Sequence, residues 1–279
     1  MSITEIVFPA NNNYRYYNMH YRYVMNSIAS AEIECVLNNT VKQIGATAFE
    51  IFVDGQLVLI DFSDFPEVLP NCGDYPYYFK FHFSEDKHEQ LDNVFPFAPI
   101  SFDDWNQYVH LKGEICYSAN NDTILNNQRP YAGARERRKK VQHMLTSHCR
   151  NNVDTSITSQ ESFWWKINNC LVSVCVPGAR NDMLDRGQFQ YMAFGCCTIS
   201  PKLLTILPYY EKLVPGVHYI QCDDNYSDLI DKIEWCKENR EACVKIGKNA
   251  KHLFKETSTP EQLWGIINET LICATRSVY

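Results

Sequence analysis

Strand and helix patterns alternate through the second half of this 279-residue chain, and this alternation constrains its fold more than any other feature. Short apolar runs predict strands, and longer segments with apolar residues three and four positions apart predict helices. The predicted strands are 114–117, 153–156, 171–176, 196–199 and 218–221, and helical patterns lie between and after them, with one that ends near residue 254 and a further one beyond it. Such alternation is typical of a parallel sheet that helices cover on both faces.

The first half of the chain predicts a strand-rich domain. Two apolar runs meet at Asp54-Gly55, a dipeptide that is typical of a tight hairpin turn. The aromatic segment Tyr77–Phe83 predicts a third strand, because aromatic side chains favour a pleated surface. Residues Phe95–Ile100 contain two prolines and predict an irregular crossing segment.

These patterns predict an α/β protein with two Rossmann-like domains. The first domain covers residues 1–110, and the second covers 111–256. A helical segment at 257–279 is long enough to cross back to the first domain. Ligands of open parallel sheets bind beyond the carboxyl ends of the strands. With two such domains, we expect the active site in the cleft between them.

Charge and composition narrow the partners and the compartment. The chain has 26 Lys and Arg residues and 33 Asp and Glu residues, so its net charge is −7. We therefore do not expect it to bind nucleic acid. The N-terminus lacks a signal-peptide pattern, and no run approaches about eighteen apolar residues, so no transmembrane segment is expected. We therefore predict a cytoplasmic protein whose twelve cysteines are reduced and fill the core rather than bind zinc.

The first candidate ligand-binding segment is Tyr131–Lys140, at the start of a predicted helix. Gly133 lets the backbone approach a ligand closely, and the free amides of a helix start attract anions. Arg135, Arg137 and Arg138 add planar donors that suit phosphate oxygens. The alternative is a solvated basic helix face, which any single arginine fits equally well.

A second segment, Val176–Gln190, begins with a Pro-Gly turn after a buried strand and continues into a helix. Arg186 falls in the first turn of that helix, where the helix dipole disfavours a cation unless an anion is present. We therefore favour an anion as its ligand over the alternative, a salt bridge to Asp182 or Asp185.

Other features limit the chemistry. The acidic segment 222–229 also follows a strand, and its side chains could accept sugar hydroxyls, but helix capping is the favoured interpretation. The sequence has no D-x-D triplet, which commonly holds a divalent ion, and no Walker, dinucleotide-binding, serine-hydrolase or zincin motif. Arginines rather than a metal would then neutralise a leaving diphosphate, and we expect neither a metal nor a cofactor.

Four segments together resemble the CAP10-like glycosyltransferases. The closing pattern of that group is similar to Val217-His-Tyr-Ile-Gln221, then Tyr226-Ser-Asp-Leu229 with Trp235, and then a helix that ends at Phe254. Its glycine–arginine loop is similar to Gly133-Ala-Arg135 with Arg138, and its arginine-led helix to Asp185-Arg186-Gly-Gln-Phe-Gln190. The resemblance covers roughly residues 130–256, with gaps, and the first domain matches much less clearly.

The resemblance implies a GT-B fold and a metal-independent, inverting transfer from a UDP-sugar. It implies that Arg135, Arg138 and Arg186 contact the donor diphosphate, and we expect Asp185, Asp182 and Gln190 beside the nucleotide or sugar. A compact chain of this kind resembles the enzymes with which large DNA viruses of algae glycosylate their capsids. Our specific hypothesis is a transfer of xylose from UDP-xylose to a fucose of such a glycan, in the host cytoplasm.

An inverting transferase also needs a carboxylate that takes the proton from the acceptor hydroxyl. The resemblance places this base only as an aspartate in a loop of the first domain. Asp74, which follows Gly73 and precedes a predicted strand, fits best, and Asp64 is the rival. His82 is a candidate for acceptor binding, although a histidine among aromatic strand residues is more often a core residue.

Two other functions remain open from the sequence. The chain could be a non-catalytic glycan- or nucleotide-binding protein derived from a transferase, with Tyr14, Tyr16, Tyr17 and Tyr21 as a platform for sugars. It could also be another phosphate-handling enzyme, such as a sulfotransferase-like protein. Affinity for UDP and its sugars would separate these alternatives.

Overall fold

The computed structural model describes residues 3–10, 18–45, 47–98, 102, 105–178 and 180–276. The strands in these ranges are β1 (Glu5–Pro9), β2 (Glu34–Asn38), β3 (Gln43–Ile44), β4 (Ala48–Val53), β5 (Gln56–Asp61), β6 (Tyr77–Lys80), β7 (Val94–Pro96), β8 (Ile124–Leu125), β9 (Val153–Asp154), β10 (Val172–Val174), β11 (Thr198–Ser200) and β12 (Ile220–Gln221).

The α-helices are α1 (Asn18–Ser30), α2 (Glu85–His88), α3 (Trp105–Leu111), α4 (Arg135–Cys149), α5 (Gln160–Trp165), α6 (Arg186–Phe194), α7 (Leu229–Glu238), α8 (Arg240–Thr257) and α9 (Pro260–Arg276). Short 3-10 turns lie at Cys72–Asp74, Ala132–Ala134, Arg150–Asn152, Lys166–Asn169 and Pro208–Tyr210.

The chain divides into two compact units. The first contains Met1–Asn106, Ile206–Glu211 and Glu256–Tyr279, and the second contains Gln107–Thr205 and Lys212–Lys255. The sequence pattern does not separate the segment Ile206–Glu211 from its neighbours. It belongs to the first unit because the Ile206 amide donates to the Phe83 carbonyl over 2.9 Å and its side chain is buried among the apolar residues beside β6.

The sheet of the first unit is mixed. Its strand order is β2-β1-β4-β5-β6-β7, with β3 paired to β4. β4 runs antiparallel to both of its neighbours in this order, whereas β5, β6 and β7 run parallel. The parallel half therefore has one edge at which the carboxyl ends of β5 and β6 meet, and the antiparallel hairpin departs from a doubly wound sheet.

The predicted hairpin is confirmed, with β4 and β5 paired along their whole length. Asp54 and Gly55 have φ angles of 46° and 80°, and a turn with two positive φ values matches the twist of the flanking strands. Asp54 tolerates its angle because its carboxylate accepts hydrogen bonds from the Thr4 amide and hydroxyl and from the Glu5 amide at 2.7–3.0 Å.

Two details of the first half differ from the prediction. The strand predicted at Tyr77–Phe83 ends at Lys80. Val94–Pro96, part of the predicted crossing segment, is instead an edge strand parallel to β6. Pro96 is tolerated there because an edge strand leaves one side of its backbone unpaired. Pro99 and Ile100 lie outside the described residues.

The sheet of the second unit is parallel throughout, in the order β9-β8-β10-β11-β12. This is a doubly wound order, as the strand–helix alternation predicts. A core of fully buried aliphatic residues, among them Ile124, Val172, Val174 and Ile199, fills the space between this sheet and helices α4, α7 and α8.

The strand predicted at Glu114–Tyr117 is wrong, and β8 takes its place in the sheet. The Ile115 side chain is buried, but the Cys116 amide donates to the Asn168 side chain over 2.6 Å instead of joining a strand ladder. The apolar pattern at 114–117 therefore reflects a buried side chain and not a strand. The later predicted strands correspond to β9, β10, β11 and β12, each shorter than predicted.

Candidate functional site

The second sheet has a topological switch point between β8 and β10. The chain leaves β8 toward β9 on one side and leaves β10 toward β11 on the other, so the two connections separate at the carboxyl ends of these adjacent strands. Doubly wound proteins bind ligands in the crevice that such a divergence opens. The segment after β8 leads into α4, and the segment after β10 leads into α6, so both candidate segments of the sequence meet here.

Two side-chain amides that the sequence did not single out bind the two strand ends together. The Asn126 side chain donates to the Val174 carbonyl over 2.8 Å. Gln128 accepts from the Val176 amide through Oε1 and donates to Asp185 Oδ1 over 2.8 Å through Nε2. Their position directly after a strand of the alternating pattern would have signalled them, but β8 itself was not predicted.

Arg138 lies beneath this crevice rather than in solvent. Its side chain is 4% exposed, and Nε and Nη2 both donate to the Val176 carbonyl, over 3.1 and 3.0 Å. Nη1 donates to the Arg129 carbonyl over 3.0 Å, and Nη2 also donates to Asp185 Oδ2 over 2.9 Å. These bonds tie α4 to the segments after both strands, so the guanidinium predicted to contact a diphosphate is already engaged by protein oxygens.

Asp185 caps α6 and completes this arrangement. Its Oδ1 accepts from the Gly187 amide over 2.8 Å, which satisfies one of the free amides of the helix start. The same carboxylate accepts from Gln128 and Arg138, so its contacts are with the protein. Arg186 is the first residue of α6 and is half-buried, in the first turn as predicted.

Arg135 differs from Arg138 because it is exposed. It is the first residue of α4 and follows the 3-10 turn that contains Gly133. A β-carbon placed on Gly133 would meet no other atom within 4 Å, so the space above this turn is open. Ala134, at the N-cap position, supplies no side-chain hydrogen bond to the amides of α4. An exposed arginine and an uncapped helix start therefore lie side by side.

Arg137, the third arginine of the segment, is half-buried and fixes the neighbouring turn. Its Nη2 donates to the carbonyl oxygens of Pro177 and Gly178 over 3.1 and 2.8 Å. Together with Arg138 it holds the Pro-Gly turn after β10 against α4. The basic segment therefore divides into two arginines that organise the backbone and one that is exposed beside it.

Two further residues expected near the nucleotide or sugar also have protein partners. Asp182 forms an ion pair with Arg180. Gln190 is buried, and its Oε1 accepts from Trp164 Nε1 over 2.7 Å. Both side chains therefore stabilise the segment from β10 into α6 through contacts within the protein.

The acidic segment after β12 is organised by its own hydrogen bonds. Asp228 is the N-cap residue of α7, but its carboxylate accepts from the Asp223 amide over 2.7 Å rather than from a helix amide. The buried Tyr226 donates its hydroxyl to the Asn181 side chain over 3.0 Å, and burial raises the pKa of this phenol. This segment therefore supports the one after β10.

The two candidate bases lie at opposite edges of the first sheet. Asp64 is exposed and follows the carboxyl end of β5, whereas Asp74 is exposed and precedes the amino end of β6. Since β5 and β6 are parallel, only Asp64 lies at the edge where such sheets bind ligands. His82 is buried just after β6, with its ring 4.2 Å from that of Phe81.

The described residues also bear on a metal site, a membrane span and the tyrosine platform. No three His, Cys, Asp or Glu side chains in these ranges come together as a metal-binding group. None of the described helices has the length and apolar character needed to cross a bilayer. The tyrosines Tyr14, Tyr16 and Tyr17 lie outside the described residues. Tyr21 packs its ring 5.0 Å from Phe8 and donates to the Pro9 carbonyl.

Comparisons with known proteins place these features in context. No family model matches the chain. Human protein O-glucosyltransferase 3 is 38% identical over 61 residues, which span 20% of this chain and 12% of that protein. Protein 179R of Invertebrate iridescent virus 6, which is uncharacterised, is 27% identical over 90 residues, or 29% of this chain and 7% of that protein. The matched stretches thus span about a tenth of these relatives.

A solved structure extends the likeness to most of the fold. The crystal structure of Anabaena Alr3699/HepE, in complex with UDP and glucose, matches with a TM-score of 0.50 and 14% identity, over 77% of this chain and 71% of that one. At this identity the match concerns the fold. The chain is therefore an α/β protein that shares its fold with Alr3699/HepE and is similar over a short stretch to protein O-glucosyltransferase 3.

Proposed function

We propose that this chain is a glycosyltransferase that binds a nucleotide-sugar at the switch point of its second sheet. One observation carries the proposal: the starts of α4 and α6 are held together at the carboxyl ends of β8 and β10 by the Arg138–Asp185 ion pair. Helix starts attract anions, and a nucleoside diphosphate is an anion of suitable size for such a crevice. The name of the relative, protein O-glucosyltransferase 3, and the UDP and glucose in the structure of Alr3699/HepE agree with this chemistry.

In this proposal the arginines have two roles, contact with the diphosphate and support of the two helix starts. Arg135 and Arg186, each the first residue of a helix, contact the diphosphate, with Gly133 allowing close approach of the backbone. Arg138, Asp185 and Gln128 form the frame that holds the two helix starts in place. An arginine contact neutralises charge on the leaving diphosphate and lowers the barrier to bond cleavage, so the reaction needs no metal.

The proposed base is Asp64 rather than Asp74. The edge of the first sheet on which each residue lies supports this choice, because catalytic side chains of parallel sheets concentrate at carboxyl ends. The carboxylate takes the proton from the acceptor hydroxyl as the hydroxyl oxygen attacks the anomeric carbon. The bond to the diphosphate breaks on the opposite face, and the configuration inverts.

The donor and acceptor follow from resemblance rather than from contacts. We propose a UDP-sugar as donor, either UDP-glucose or UDP-xylose, and a glycan hydroxyl as acceptor. The specific hypothesis is xylose transfer to a fucose of a viral capsid glycan, and the stretch similar to an iridescent virus protein agrees with a viral setting.

The test combines binding with transfer. Thermal shifts should show stabilisation by UDP and UDP-sugars but less by GDP, because a ligand that binds only the folded state raises its apparent stability. Transfer from UDP-glucose and UDP-xylose to a panel of glycans should persist in EDTA. Asp64→Asn should abolish transfer and leave UDP binding intact, whereas Asp74→Asn should retain activity.

Three outcomes would contradict parts of the proposal. Complete loss of transfer in EDTA would overturn metal independence. An active Asp64→Asn enzyme together with an inactive Asp74→Asn enzyme would return the base to Asp74. Glycan binding without any UDP affinity would favour the non-catalytic alternative.

A further inference from the structure

A fully buried ion pair lies beneath the segment that carries Asp64. Lys80, the last residue of β6, and Asp61, the last residue of β5, are 0% and 1% exposed, with 3.3 Å between Nζ and Oδ2. Tyr78 donates its hydroxyl to the same carboxylate oxygen. The Lys80 ammonium also donates to the Ser63 hydroxyl over 2.6 Å and to the Ser63 carbonyl over 3.3 Å.

These buried groups anchor the backbone on both sides of Asp64. Ser63 is held at its amide, by Asp61 Oδ1 over 2.8 Å, and at its hydroxyl and carbonyl by Lys80. On the other side, the Ser63 hydroxyl donates to the Phe65 carbonyl over 3.1 Å, and the Pro66 carbonyl accepts from the His88 ring. Asp64 is exposed, while hydrogen bonds hold the residues on either side of it in place.

Stability alone does not account for this ion pair. Removing two charges from water costs several kcal/mol per ion, and apolar residues of similar volume are often as stabilising as a buried pair. The pair instead restricts the conformation of Ser63, because the Lys80 ammonium donates to two oxygen atoms of that residue.

We infer that Lys80 is a positioning residue that holds Ser63 and thereby sets the place of the Asp64 carboxylate. This inference rests on the proposed role of Asp64 as base. The ionisable groups near Lys80 are Asp61 from β5, Asp64 and Glu67 from the following segment, and His88 from α2.

The second unit contains the same arrangement and provides a matched control. Asp154 ends β9, the Ser156 amide donates to its Oδ1 over 2.8 Å, and Lys166 donates to the Ser156 hydroxyl over 2.5 Å and to its carbonyl over 3.3 Å. The side chains of this Lys166–Asp154 pair are more accessible, at 17% and 29% exposed. The residue that follows Ser156, at the position that corresponds to Asp64, is Ile157, which cannot act as a base.

The experiment compares two double variants that each neutralise a pair without leaving one charge unpaired. Asp61→Asn/Lys80→Met should lower kcat for transfer by about 100-fold, the order of loss that a misplacement near 1 Å causes. The affinity for UDP should stay within about twofold, because the hydrogen-bond partners of Asp61 and Lys80 do not include the arginines proposed to bind the diphosphate. Asp154→Asn/Lys166→Met should leave kcat, affinity and pH profile unchanged.

The pH profile separates positioning of the base from a change in its ionisation. Asp61→Asn/Lys80→Met removes one positive and one negative charge, whose effects on the pKa of a neighbouring carboxyl oppose each other, so the acidic limb of the kcat/KM profile should stay close to that of wild type while kcat falls. Ser63→Ala, which keeps both charges but removes the hydroxyl, should lower kcat without moving that limb. Wild-type kcat in the first variant would overturn the inference.

Hydrogen exchange keeps the test independent of the proposed function. Amides of residues 62–69 should exchange faster in Asp61→Asn/Lys80→Met than in wild type, while amides of β4 should not change. If Asp64→Asn proves active, the proposed base is wrong, yet this exchange result still reports whether Lys80 holds the segment. Unchanged exchange at 62–69 would show that it does not.

Discussion

Arg138 and Asp185 meet across the switch point of the second sheet, with 2.9 Å between Nη2 and Oδ2 and little exposure of either side chain. The pair joins the first turns of α4 and α6, the two helix starts on which the proposed donor site depends. Arg138, predicted from the sequence to contact a diphosphate, is therefore paired with a protein carboxylate, and in our proposal it belongs to the frame of the site. This distinction between frame and ligand can be measured.

Replacing Arg138 with methionine should destabilise the fold strongly. The change removes the Arg138 donor from Asp185 Oδ2 and from the Val176 carbonyl, and breaking one side of a buried pair costs about 3–5 kcal/mol. Urea unfolding would measure the loss. Arg135→Met is the matched control, since Arg135 is exposed, and it should change the free energy of unfolding by less than about 0.5 kcal/mol. Equal effects of the two variants would contradict the assignment of Arg138 to the frame.

The converse result is expected for ligand binding. Arg135→Ala should weaken UDP binding by about tenfold or more, because a hydrogen bond to a charged group contributes about 1.5–3 kcal/mol. Calorimetry with UDP gives the affinity directly. Lys139→Ala removes an exposed cation from the same helix and should leave the affinity nearly unchanged, because Lys139 pairs with Glu136 on the solvent side. Comparable losses in both variants would point to general electrostatic attraction instead of a defined contact.

The sequence correctly predicted those elements whose geometry depends on only a few neighbouring residues. The hairpin at Asp54-Gly55 is one case, since its turn needs two positive φ angles that this dipeptide accepts readily. β8 is the opposite case, because Ile124 and Leu125 are its only residues and polar neighbours flank them. It is a strand because β9 and β10 pair with it on both sides, and no pattern of two residues can show that.

The site was harder to predict than the fold because its residues are defined by distant partners. A guanidinium suits a phosphate oxygen and a peptide carbonyl equally well, so only the position of the Val176 carbonyl decides what Arg138 binds. The choice between Asp64 and Asp74 likewise depends on which edge of a sheet each residue reaches. That edge follows from the parallel pairing of β5 and β6, which the sequence pattern did not give.

A glycine in α8 should resist substitution although alanine is the better helix former. A β-carbon at Gly247 would lie 1.9 Å from the Gly195 carbonyl oxygen and 2.8 Å from its carbon. The gain of about 1 kcal/mol expected for Gly→Ala in a helix is therefore outweighed by a backbone clash that only movement of α8 or of the turn after α6 can relieve. Thermal unfolding should show a lower Tm for Gly247→Ala. Lys248→Ala, on the exposed side of the same helix, should leave the Tm within about a degree or two.

His88 should make the stability of the first unit depend on pH. Its ring is 1% exposed, stacks on Phe83, accepts from the Ser84 amide over 3.1 Å through Nδ1 and bonds the Pro66 carbonyl through Nε2. Burial lowers its pKa, and the nearby Lys80 ammonium lowers it further, although the hydrogen bonds to Ser84 and Pro66 oppose the shift. In the unfolded chain the same imidazole takes up a proton near its ordinary pKa of about 6.5.

Between these two pKa values the unfolded state binds more protons than the folded state. The free energy of unfolding should therefore fall as the pH drops below about 6.5, with a slope that approaches 1.4 kcal/mol per pH unit for one proton. Above about pH 6.5 the contribution of neutral His88 to stability should be fully present. In His88→Gln, which does not titrate, this part of the slope should vanish. His143→Gln, which removes an exposed ring from α4, should keep the wild-type slope. Urea unfolding from pH 7.5 to 5.5 measures all three proteins, and an equal slope in wild type and His88→Gln would mean that His88 is as easily protonated in the fold as in solution.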